Sequence, residues 1–157
     1  RDWITAEVPL LTRPGQTSTA FPFSGWDAEA CYFHDPAGNI VELIAHHGRG
    51  ESGRSGRFSA GELLGISEVG LVAADLRAAG DRLQAAGVEM WSGSLAGADA
   101  LGFFGRQAHT LILCAPGRPW LPTGRPAQSH TITAALQTTA GEVEVRLRDG
   151  ELSVAGP

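Results

Sequence analysis

The sequence predicts an α+β chain built from two similar strand-rich modules. Three observations predict it. Two strand-like runs, Ala30–His34 and Asn39–Ala45, flank the turn-forming tetrapeptide Asp35-Pro36-Ala37-Gly38. A strand-then-helix pattern follows over residues 65–86, and further short strands run to the C-terminus. With 43% hydrophobic and 18% charged residues over 157 positions, the chain can bury a core in one domain or two small ones.

The opening Trp3–Val8 reads as the last turns of a helix, closed by Pro9. From Thr17 to Phe23 the pattern turns β-like. Asp, then Pro, then Gly in fourth place is the order a type I turn favours, because Pro pre-sets φ and Asp bonds the following backbone. This turn joins the two strands around residues 35–38 into a hairpin. Residues 48–64 form a linker, Gly/Ser/Arg-rich over 48–61.

The second module opens with a strand over Gly65–Val72. Asp75 is placed to cap a helix from Leu76 to Ala86, whose apolar residues Leu76, Ala79, Leu83 and Ala86 share a face; Gly87 stops it. Strands are expected at Ala98–Phe104, His109–Cys114 and Thr131–Leu136, the last two separated by a Pro/Gly-rich loop over 116–126. A hairpin turned on Asp149-Gly150 ends the chain. The order in the second module is thus strand, helix and three strands. The first, over residues 1–47, shows only a helix end and three strands, as though its opening strand and most of its helix were missing. The second covers 65–157 with the terminal hairpin. The only methionine is Met90, so the chain reads as processed or N-terminally shortened.

Composition narrows the function classes. A net charge of −5 argues against nucleic acid as the main partner, although every basic residue is Arg. No apolar run approaches the roughly 18–20 residues that span a bilayer. Cys31 and Cys114 form neither a disulfide framework nor a CxxC clip, so reduced thiols and a cytoplasmic location are expected.

The stretch from Cys31 through Asp35-Pro36-Ala37-Gly38-Asn39 to Glu42-Leu43 resembles the third-to-fourth strand signature of vicinal-oxygen-chelate modules (the glyoxalase, bleomycin-resistance and extradiol dioxygenase superfamily). Residues Ile66–Leu76 look like the opening strand and helix start of the next module. The resemblance spans about Val8 to Leu136. It implies paired βαβββ modules forming a curved mixed sheet around a cleft. It also implies a divalent metal (Zn, Ni, Fe or Mn) held by side chains of the first and last strands.

Carried over residue by residue, the resemblance makes Glu42 the last-strand ligand and Glu68 the ligand from the second module's first strand. His130 is the one ligand-type side chain of the supposed last strand, which lacks both the Asp-Pro-x-Gly-Asn turn and a Glu. Glu42 and Glu68 each stand in apolar runs where a carboxylate needs a cation, an arginine or a proton to answer it. Both are candidate catalytic residues and metal ligands. His46, His109 and Trp120 are candidate substrate-binding residues; their alternatives are a solvated strand end, a strand start and a packed loop aromatic. Two carboxylates with few histidines favour a glyoxalase- or epimerase-like metal site over an iron dioxygenase site. A non-catalytic small-molecule binder is the competing function, favoured by the missing last-strand ligand. A first module without its opening strand would expose a sheet edge, from which a homodimer is expected.

Overall fold

The computed structural model describes residues 2–49 and 58–156. Two α-helices and twelve strands, several of them short, are found among these residues, an α+β chain with no helix long and apolar enough to cross a membrane. It divides into two compact units, Arg1–Gly65 with Leu121–Gly124, and Ile66–Trp120 with Arg125–Pro157.

In the first unit, α1 (Asp2–Glu7) is followed by β1 (Phe21–Phe23), β2 (Ala28–His34) and β3 (Ile40–His46), an antiparallel sheet in that spatial order. The expected β stretch from Thr17 shrinks to three residues. The hairpin around residues 35–38 is present and strongly braced. Asp35 Oδ1 accepts the Ala37 and Asn39 amides at 2.9 and 2.8 Å, and the Asn39 side chain donates to Oδ2 at 2.8 Å. Those bonds, the Asn39 side chain first, hold the Asp35 carboxyl below its ordinary range. One face of this sheet gathers Phe21, Ala30 and Tyr32 with Leu11, Phe23, Ile40 and Ile44. The rings of Phe21 and Tyr32 meet edge-on at 4.9 Å. Of the expected linker, residues 50–57 lie outside the described residues, and Ala60–Glu62 form a 3-10 turn.

In the second unit, β4 (Glu68–Val72) leads into α2 (Leu76–Ala85), and then β5 (Met90–Ser94), β6 (Leu101–Arg106) and β7 (His109–Cys114). Asp75 caps α2 by accepting the Ala78 amide at 3.0 Å, and Gly87 follows it at φ 77°. The sheet order is β4-β7-β6-β5, with β4 parallel to β7 and the other pairs antiparallel. The chain then makes a small ribbon, β8 (Pro119–Trp120) with β9 (Arg125–Pro126). It ends in a meander of β10 (Ile132–Thr138), β11 (Gly141–Arg148) and β12 (Glu151–Ala155). Asp149 and Gly150, both at positive φ, turn the last hairpin.

Strand, helix and three strands therefore occur in the expected order, but not all with the expected residues. The strand at Met90–Ser94 was not anticipated. Thr131–Leu136, expected as the module's last strand, belongs instead to the separate meander, and His109–Cys114 closes the mixed sheet against β4. Alternation in β10 marks a strand but carries no information about its sheet; only long-range pairing decides that. One core joins Leu71, Phe104, Leu111 and Leu113 of the mixed sheet to Ala79 and Leu83 of α2 and to Val143, Val145, Leu147 and Leu152 of the meander.

Candidate functional site

Strand alternation sorts the mixed sheet into two faces. Val69, Leu71, Phe104, Leu111 and Leu113 belong to the core with α2. Glu68, Gly70 and Val72 therefore point the other way, together with Thr110, Ile112 and Cys114, their register partners on β7. Phe103, opposite Ile112 on β6, shares this second face. A register shift at Met90/Ser92 brings Trp91 to it as well, its ring 6.0 Å from that of Phe103.

Glu68 is the charged residue of this face. Burial pushes its carboxyl above the ordinary value of 4.5. Among the described residues no hydrogen bond or ion pair to its side chain offsets that cost. The hydroxyl beside it, that of Thr110, donates to the Arg106 carbonyl at 2.7 Å and is committed there. Two residues along, Gly70 leaves room for Trp120: a Cβ at position 70 would sit 3.3 Å from Cη2 and Cζ2 of the indole. Trp120 thus lies on the sheet, packed with Val72, Cys114, Ala127 and Leu101. The Arg118 guanidinium is 5.9 Å from its ring centre. Cys114 is fully buried; burial pushes its thiol up to about 11, with Arg118 pulling weakly the other way, so the thiol stays protonated and inert.

In the first unit Glu42 lies opposite Tyr32 in register, and the Tyr32 hydroxyl donates to Glu42 Oε1 at 3.0 Å. A phenol therefore gives the carboxylate a hydrogen bond. Counting back from the Asp35–Asn39 turn pairs 32 with 42, so this partner was available to sequence reasoning and was missed. His46 shares the face of Glu42, with Ile44 between them.

The other predicted residues are scattered. His109 begins β7 as an exposed residue; alternation turns it to the face opposite Glu68. His130 is exposed and precedes the meander, so the second unit does not bring it into the sheet that carries Glu68. Among the described residues there is no group of three or more His, Cys, Asp or Glu side chains placed to hold a metal ion. The donor chemistry around Glu68 agrees: its neighbours on this face are Gly70, Ile112 and an engaged threonine. Among the described residues of each unit, the side chains do not fit a chelated divalent cation. Two open grooves of about 460 and 340 Å³ run along α2 and β12, lined by Arg82 and Ser153; neither includes Glu42 or Glu68.

Because the Glu68 carboxyl is raised in the folded state, the folded chain binds more protons than the unfolded one just above pH 4.5. Stability therefore falls as pH rises through that window, and the penalty is fully present above it. Glu68→Gln is expected to be more stable than the parent at pH 8, by about 1 kcal/mol because the carboxylate is only partly buried. The difference should close below pH 4.5. Urea titrations at the two pH values check this; equal stability at pH 8 would remove the claim that Glu68 is unanswered.

No family model and no curated protein matches the chain.

Proposed function

We propose that this chain is a vicinal-oxygen-chelate-type protein and that it binds a small molecule without chelating a metal. The observation that carries this reading is the second face of the mixed sheet. It presents a carboxylate without a partner among the described residues, Glu68, on the same sheet face as Ile112, Phe103 and Trp91, a pattern of apolar surface with a polar anchor. The β4-α2-β5-β6-β7 order with β4 parallel to β7 supports the module reading, as does the Asp-Pro-Ala-Gly-Asn hairpin leading to Glu42. The metal-dependent lyase, isomerase or dioxygenase reading loses ground on the donor set.

Elemental analysis of the purified chain, before and after incubation with Zn, Ni, Fe and Mn, tests the choice. A near-stoichiometric metal that disappears in the Glu42→Ala, Glu68→Ala double variant would overturn the binding reading in favour of a metalloenzyme. Absence of specific metal, with ligand-induced stabilisation in a small-molecule screen, is the expected result.

A homodimer is part of the proposal. β3 is the edge of its sheet, and no strand pairs with its outer side among the described residues. Its run Ile40-Val41-Glu42-Leu43-Ile44 has no Pro, Lys or bulge to discourage pairing. Light scattering at high concentration is expected to give twice the chain mass; a monodisperse monomer refutes it.

A further inference from the structure

We infer that the ligand is an organic cation, a protonated amine or amidine on a flat apolar body, with its charge at Glu68 and its body along Ile112, Phe103 and Trp91. The inference rests on the small-molecule reading above. Its first ground is the state of the carboxylate. Glu68 sits among apolar neighbours, with no donor to its side chain among the described residues, and the Thr110 hydroxyl is already engaged. A carboxylate so placed gains most from a partner of opposite charge, less from a neutral donor, and is repelled by an anion.

The second ground is the surface beside it. Gly70, two residues along from Glu68, brings no side chain of its own, and the edge of Trp120 covers its backbone there. Across the sheet the same face runs through Ile112 to Phe103 and Trp91. Aromatic faces attract cations through their quadrupole and accept flat apolar bodies. Arg118, beside the Trp120 ring, donates to the Pro119 carbonyl at 3.0 Å and the Asp99 carbonyl at 3.5 Å, and it forms no ion pair with Glu68. Among the described residues, Arg118 therefore leaves this carboxylate to a ligand.

Calorimetry of the full chain with three probes on one ring system tests the idea: 2-naphthylmethylammonium, 2-naphthylmethanol and 2-naphthoate. The ammonium is expected to bind about tenfold more tightly than the alcohol, and the naphthoate not at all. Glu68→Gln, shown to be folded by circular dichroism, should weaken the ammonium about tenfold and leave the alcohol unchanged. If alcohol and ammonium bind alike, or if the variant changes nothing, the cation assignment is wrong and the small-molecule reading stands. If no probe binds the parent at millimolar concentration, both fall.

Discussion

Phe104→Ala is expected to cost about 3–5 kcal/mol, a large share of the roughly 5–15 kcal/mol that holds a domain together. Phe104 is fully buried, on the α2 side of β6. Its ring lies against α2 at Gly80, where an added Cβ would come within 3.3 Å of Cζ. Truncation therefore opens a cavity between sheet and helix that the rigid strands cannot close. The transfer loss and the void then add. The neighbouring residue, Phe103, points to the Glu68 face, so the two aromatic positions separate stability from binding. Phe103→Ala should cost less in stability and weaken ligand affinity, whereas Phe104→Ala should lower the urea midpoint while leaving the affinity of the folded fraction unchanged. Equal stability losses from the two variants would contradict the assignment of faces.

Much of the fold was legible in local chemistry. Asp35, Pro36, Gly38 and Asn39 specify their turn by residue type alone, and Asp75 with Gly87 brackets α2 in the same way. What was hidden depends on pairing between distant residues. β5 reads poorly as a strand because Met90-Trp91-Ser92-Gly93-Ser94 breaks alternation at a bulge and carries little β-branched character. β10 reads well as a strand, but its partners are Gly141–Arg148 and not the mixed sheet. His130 entered the candidate set because β10 was expected to close the module. Glu68 and Glu42 became candidates because a carboxylate in an apolar run is conspicuous. Their surroundings were not legible, since Tyr32, Thr110 and the Gly70–Trp120 contact arise only when register fixes which side chains share a face.

Gly93 tests that register most directly, and Gly93→Ala is expected to destabilise the chain by about 3 kcal/mol or more. Two effects act together. The residue sits at φ 86°, a backbone region that costs any L side chain energy. A Cβ there would also lie 2.0 Å from the Leu101 carbonyl oxygen on the paired strand β6, a backbone atom that cannot swing aside. The strand would have to separate from β6 at that point, one residue after the bulge that turns Trp91 toward Phe103. Loss of the Trp91–Phe103 contact should therefore accompany the loss of stability, seen as a change in near-ultraviolet circular dichroism in native buffer. An alanine variant as stable as the parent, with an unchanged aromatic spectrum, would mean that β5 does not follow the observed path. The aromatic end of the proposed cation site would then have to be abandoned, leaving Glu68, Ile112 and Phe103 as its remaining support.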